Sequence, residues 1–476
     1  FTPKEDFRQQ IVSWQSAGEQ KQNEVLFKWD DQIIEDKQFG YSSLIQTTNI
    51  QKRVTKKLPF PIPEHKIEDV EQYLQATETI DSNNPAIIAK ATELIDGEDD
   101  QFKVAFKLAS WVEANVEYDL NSLTERASQK ASWVLQHKEG VCDEMTSLFI
   151  AMARSVGIPA RFATGVSYST SELFDEPWQP HGWAEVYFPD VGWVSFDITF
   201  GEYGYIDVTH IKLRDGFDPS EPATKFQWFA NDVKLQAKPL DFDITITNRG
   251  DLIQEEVSLE QEVLEPIVGF GSYNLVKGII TNTANYYTAT TLELAVPKEV
   301  QIHGRNKRTI LLSPNEVRET YWVVQVPHSL DSSFEYHFPT IMYTERNSSV
   351  ESQFSSTRKA TTFSKSEVQK LTIQDEEKQY SREVAFSCDL ASSLPKDEKT
   401  KVTCSIQNKG NSNLKAVQFC ITDICEAKDL PINQKASSFI ELENSEVGEQ
   451  KLIVSATNSQ IEKRQVFTYV VADQPK

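Results

Sequence analysis

Apolar residues recur at three- and four-residue steps through Phe102, Ala105, Phe106, Ala109, Val112 and Val116, which predicts an amphipathic helix capped by Asp99 or Asp100. An earlier helix is predicted over 85–94, with Asp81 or Ser82 as its cap and Pro85 in its first turn. A third begins near Met145, where positions 145, 148, 149, 152 and 153 share one apolar stripe. Gly157 suits the residue after that helix, and Pro159 prevents its continuation. Ahead of these, residues 1–60 are rich in Gln, Lys, Glu and Asp and carry no chemical motif. The run Leu58-Pro-Phe-Pro-Ile-Pro63 closes that stretch, because alternate prolines remove backbone donors and disfavour helix.

From about residue 235 the pattern shortens. Runs rich in Val, Ile, Thr, Tyr and Phe alternate with turn residues, as at 244–247, 275–281, 288–295, 320–326 and 336–343. Asn248-Arg-Gly250, Ser313-Pro-Asn-Glu316 and Asn408-Lys-Gly410 are turn signals. Short strands at this spacing predict antiparallel β-sandwiches. The polar stretch 364–373 lacks a pattern and marks a junction, giving an extension (1–60), an α+β domain (61–234) and two sandwiches (235–365 and 366–476).

A length of 476 residues is consistent with about three domains at roughly 150 residues each. The net charge of −23 argues against broad nucleic-acid binding and against docking on anionic lipid. No stretch is long and apolar enough for a membrane span, although a leader or membrane anchor outside residues 1–476 is compatible with a chain that opens on Phe1. Cys388, Cys404, Cys420 and Cys425 cluster near the end without CxxC spacing and with no histidine after His337, so a metal site is not expected there. Two disulfides are expected instead, Cys420–Cys425 across a short turn and Cys388–Cys404 between neighbouring strands. They imply an oxidising compartment, extracellular or at the cell surface, with which the sequon at Asn347 is compatible.

The remaining cysteine carries the chemistry. Cys142 sits at or just before the start of the third helix, where free backbone N–H groups and the helix dipole favour a thiolate and can serve an oxyanion. Downstream, His181-Gly-Trp-Ala-Glu-Val-Tyr-Phe188 and Gly192-Trp-Val-Ser-Phe-Asp197 read as a hairpin. If Phe188 pairs with Gly192, His181 and Asp197 share a face; a two-residue loop would separate them, and the sequence is compatible with either. Cys, His and Asp together suit thiol acyl transfer: the histidine takes and returns the proton, and the aspartate fixes its tautomer.

These motifs resemble the transglutaminase-like superfamily. The resemblance rests on Gly140-Val-Cys142, Gly157-Ile-Pro-Ala-Arg161, Thr164-Gly165-Val166, His181-Gly182-Trp183-Ala-Glu185-Val186, Gly192-Trp193-Val-Ser-Phe-Asp197 and Thr199. It covers about residues 75–215 and is nearest to archaeal secreted or cell-surface members, including the tail Ile206-Asp-Val-Thr-His-Ile211. It implies a papain-like α+β core followed by all-β, immunoglobulin-like sandwiches. Cys142 would be the nucleophile, His181 the base and Asp197 the orienting acid. Gly182 stands where the family usually has Ala, and Ile198 where it usually has Pro.

Gln136 and Trp133 are candidates for a second oxyanion donor, each with a packing or surface alternative, and Trp178 and Trp183 are candidates for the cleft wall, with Trp183 equally suited to the core. The loop 169–180 is a candidate substrate rim. No cofactor is expected, and calcium enters by family analogy only: Asp96-Gly-Glu-Asp-Asp100 lacks EF-hand spacing and suits an acidic helix start. The expected reaction is attack of Cys142 on a protein carboxamide or peptide carbonyl, resolved by an amine or water. A cysteine protease on the same triad, and a surface scaffold with an idle triad, are the alternatives.

Overall fold

The computed structural model describes residues 4–16, 18–21, 24–30, 40–120, 128–221, 243–253, 255–346, 348–372 and 378–473. The sequon at Asn347 and the junction near 235 lie outside them. Four helices open the α+β domain: α1 (Pro85–Ile95), α2 (Gln101–Asn115), α3 (Ala131–His137) and α4 (Cys142–Ser155). Asn84, rather than Asp81 or Ser82, caps α1, since its side chain accepts from the Ala86 amide. The earlier candidates do other work: the Asp81 carboxylate accepts from the Ser132 amide at the start of α3. Asp100 caps α2 by accepting from the Phe102 amide.

Helix α4 is more deeply buried than a single stripe predicts. Every one of its residues except Asp143 is buried, because α1, α2 and α3 pack on one side and a sheet covers the other. Gly157 follows it with φ of 87°, the left-handed conformation expected at a helix end. Arg154, in its last turn, spans three segments by donating to the carbonyls of Ala160, Gln75 and Phe217.

The sheet has five antiparallel strands in the order β4-β3-β2-β1-β5: β1 (Ala160–Tyr168), β2 (Trp178–Phe188), β3 (Gly192–Asp197), β4 (Glu202–Tyr203) and β5 (Ile211–Gly216). Phe188 pairs with Gly192 across a three-residue loop, so the β2–β3 register puts His181 and Asp197 on one face. Asp190 and Gly192 turn the chain there with φ of 66° and 94°.

Strands Gln9–Ser16 and Tyr41–Thr47 pair with each other. The segment is tied to the far edge of the sheet, where Gln9 exchanges hydrogen bonds with the Lys212 backbone.

Two β modules follow, each built of two sheets. The first packs a four-stranded sheet against a five-stranded one around Trp322, Phe354 and Met342. The second packs three strands against five around Phe419, Val402 and Val454. Residues 244–247 are not a strand, and 365–369 within the expected junction form a short helix that Ser364 caps. Disulfides join Cys388 to Cys404 and Cys420 to Cys425, each pair directly opposite on neighbouring strands.

Both modules dock into the α+β core. Tyr287 of the first stacks on Phe102 with ring centroids 5.0 Å apart, and its hydroxyl donates to the buried Asp100 carboxylate that caps α2. Ile432 of the second is part of the same core, and Asn411, Asn413 and Gln434 donate to the carbonyls of Glu98, Thr92 and Ser155. Tyr287→Phe keeps the ring and leaves Asp100 short of a donor, so it should destabilise the chain by about 1–3 kcal/mol. Denaturant unfolding of the full chain measures this; an unchanged midpoint would show the hydroxyl to be dispensable.

Candidate active site

The site lies where the start of α4 meets the β2–β3 hairpin. Cys142 is the first residue of α4, so its own backbone N–H has no acceptor within the helix. One turn along, the Thr146 hydroxyl donates to the Gly182 carbonyl at 3.2 Å, and the Gly182 amide hydrogen-bonds the Cys142 sulfur. The nucleophile candidate is thereby held against the residue next to His181.

The departure at Gly182 has a steric cause. A Cβ there would lie 2.4 Å from the Phe162 ring and 2.6 Å from the Asp143 carboxylate. The Asp143 side chain turns back toward Cys142 (Oδ1 3.7 Å from Sγ) and so fills the space an alanine methyl would need.

His181 and Asp197 meet as the register requires. The His181 Nε2 lies 2.6 Å from Asp197 Oδ2, with the aspartate fully buried and His181 7% exposed. A carboxylate only accepts, so Nε2 carries a proton and donates it to Asp197, which leaves Nδ1 as the ring nitrogen not engaged by the acid. Asp197 has three further donors: the Thr199 and Phe200 amides on Oδ1, and a second imidazole, His210, on Oδ2 at 2.8 Å. Burial pushes this carboxyl up, but His181 and His210 outweigh it and hold the group well below the usual carboxylate range.

The thiol behaves otherwise than its helix position suggests. Burial pushes Cys142 well above an ordinary thiol, the neighbouring Asp143 charge adds to this, and only the Gly182 amide opposes. Helix-end donors are also claimed by acids: Glu144 reaches back to the Val141 amide and accepts from Gln129. The resting form is a neutral thiol, and ionisation needs a base to take its proton.

The other sequence candidates fall further out. Gln136 is exposed on α3, and Trp133 is half-buried and stacks on His137 at 4.2 Å. Trp178 packs edge-on against Tyr168, and Leu173 in the adjoining loop is 59% exposed, as suits a rim. Trp183 is fully buried with Ala163 and Ile206, in the core rather than on a cleft wall.

Four further residues lie near the site: Tyr118, Glu202, and Asp207 and His210 of the 206–211 tail. Tyr118 pairs with Gly140, two residues before Cys142, and its phenol is pushed up by burial, to which the charges of Asp143 and Glu144 add. His210, Asp207 and Glu202 surround the back of Asp197; the Asp-x-x-His spacing of 207 and 210 was the available signal. Two groups, His181–Asp197–His210 and Glu202–Asp207–His210, have donor atoms close enough to hold a cation. Hydrogen bonds already account for the closest approaches in both.

Buried ionisation gives the stability a definite pH trend. Burial holds the Glu202 carboxyl protonated up to about 8, and although burial opposes it, the hydrogen bonds from His210 to Asp197 and Asp207 keep that imidazole protonated up to about 10. The unfolded chain releases these protons near roughly pH 4.3 and 6.5, so stability falls as pH rises through both intervals. Asp197 acts oppositely, contributing above roughly pH 3.9 and losing its contribution only in stronger acid. The Tm should therefore decline steadily from about pH 6 to about pH 10, and Glu202→Gln should flatten the decline below about pH 8. Calorimetry across that range checks it; a level Tm would contradict this charge assignment. Gly182→Ala should cost about 1–3 kcal/mol and slow Cys142 alkylation, because Phe162 or Asp143 must move. Wild-type stability and reactivity in that variant would remove the steric account.

Comparison with known proteins places this geometry in context. Residues 88–198 match the family model described as the transglutaminase-like superfamily. Over 80 residues the chain is 35% identical to the uncharacterised protein YebA of Bacillus subtilis, a match covering 14% of this chain and 11% of that one. Among solved structures it is similar to a candidate cysteine protease from Cytophaga hutchinsonii, at 20% identity and TM-score 0.35, over 46% of this chain and 74% of that one. It is also similar to red sea bream transglutaminase, at 12% identity and TM-score 0.18, over 78% of this chain and 69% of that one. The matched segment is similar to that superfamily's core, and Cys142, His181 and Asp197 all lie within it.

Proposed function

We propose that the chain is an extracytoplasmic cysteine acyl-transfer enzyme acting on a protein or peptide carbonyl, with Cys142 as nucleophile, His181 as base and Asp197 as the orienting acid. The observation that carries this is the His181–Asp197 hydrogen bond at 2.6 Å, made by the ring nitrogen Nε2, while the amide of the next residue, Gly182, holds the buried Cys142 sulfur. His181 Nδ1 takes the thiol proton as sulfur attacks the carbonyl carbon. The Cys142 amide N–H, unclaimed by the helix, is placed to receive the developing oxyanion. Collapse breaks the C–N bond, the proton passes from His181 to the departing ammonia or amine, and a thioester remains. An amine or water then attacks the thioester, giving an amide or an acid and restoring the thiol.

The two disulfides support a place outside the reducing cytoplasm, and among the described residues no helix is long and apolar enough to cross a membrane. The paired sheets of the β modules support reading them as immunoglobulin-like.

The test incubates wild type and Cys142→Ala with a casein-like protein and a biotinylated primary amine, followed by product mass analysis. Amine incorporation lost in the variant is the expected result. Cys142-dependent shortened peptides without incorporation would make water the acceptor and the enzyme a protease. Absence of any Cys142-dependent product would overturn the enzymatic reading in favour of a surface scaffold.

A further inference from the structure

Behind the triad, the geometry points to His210 as a positioning residue: a buried imidazolium that shares Asp197 Oδ2 with His181 and sets how tightly the carboxylate holds that base. This rests on the acyl-transfer reading above. Both ends of the His210 ring face carboxylate oxygens, with Nε2 2.8 Å from Asp197 Oδ2 and Nδ1 3.2 Å from Asp207 Oδ1. A neutral imidazole donates from one nitrogen only and would present a lone pair to an anion at the other. Two donations require the protonated ring.

The surroundings hold that cation in place. His210 is 1% exposed. The charged or titratable groups facing it are Asp197 at the end of β3, Asp207 on its own turn, Glu202 on β4 and His181 on β2, whose ring centroid is 5.4 Å away. Trp183 and Phe200 close its sides edge-on, each at 5.3 Å. Behind the turn, Arg8 donates to the carbonyls of Ile206 and Asp207, Gln51 to that of Ile206, and Thr47 to that of Val208. The N-terminal segment is thus the brace for the turn that carries His210.

Two effects follow for the reaction. With two amides on Oδ1 and two imidazoles on Oδ2, Asp197 cannot swing away from His181. The fixed positive charge also offsets the pull of Asp197 on protonated His181, which must release its proton to the leaving amine in each cycle. Removing that charge favours protonated His181 and disfavours the Cys142 thiolate. Both changes move the pH dependence of thiol reactivity to higher pH.

The test measures iodoacetamide alkylation of Cys142, the free cysteine of the chain, against pH in wild type, His210→Gln and His181→Ala. Glutamine keeps a donor without the charge. The expected result for His210→Gln is an upward displacement of the profile by about one unit, and a fall in amine-incorporation kcat of roughly 10- to 100-fold with KM little changed. If His181→Ala slows alkylation while His210→Gln superimposes on wild type, the His210 inference fails and the acyl-transfer reading stands. If His181→Ala also leaves alkylation unchanged, both fail. Nitrogen NMR of wild-type chain carrying labelled histidine gives a reading independent of any variant. Protons on both His210 nitrogens near neutral pH support the assignment, and a neutral ring overturns it.

Discussion

A carboxylate without access to water must have its lone pairs satisfied from within, and Asp197 meets that demand with two amides and two imidazoles. Much of the surrounding geometry follows from it. The chain must turn immediately after β3 to present the amides of Thr199 and Phe200. The β2–β3 loop must have three residues, since a change of one would carry His181 to the opposite face. The segment from Glu202 to His210 must fold back behind the strand to supply the fourth donor. The acid is a junction of three strands and a turn before it is a partner of the base.

Burial of Cys142 is the second constraint. The start of a helix ordinarily lowers a thiol's affinity for its proton, but here desolvation and the adjacent acids prevail. Two acidic side chains in the first turn, Asp143 and Glu144, spend the dipole's positive end on structure. Under the proposed reaction, chemistry at Cys142 would therefore depend on proton transfer to His181 more than on any standing charge separation.

The helix over 102–116, the Cys142 helix and the His181–Asp197 hairpin were legible because each has a strong local signal: a repeating apolar step, a Gly-Ile-Pro end, and two β runs around a turn. The pairing of Cys420 with Cys425 was legible for the same reason. Other features depend on partners distant in sequence. Asn84 displaced Asp81 as the cap of α1 because Asp81 is drawn to Ser132 in α3. Trp183 reads as amphipathic, yet the β1–β2 pairing and Ile206 enclose it. The reason for Gly182 lies in Phe162 and Asp143, neither adjacent to it. His210 resembled a family tail, but only the folded turn gives its two nitrogens their carboxylates.

The docking of the second β module has a consequence for how the chain can be divided. Its Asn411, Asn413 and Gln434 side chains satisfy carbonyls of the α1–α2 turn, of the last turn of α1 and of the last residue of α4, and Ile432 is part of the central core. A fragment ending after the sheet would bare those carbonyls and open the core where Ile432 packs, so a piece cut at the motif boundary inherits an unfinished surface that the far end of the polypeptide covers in the full chain.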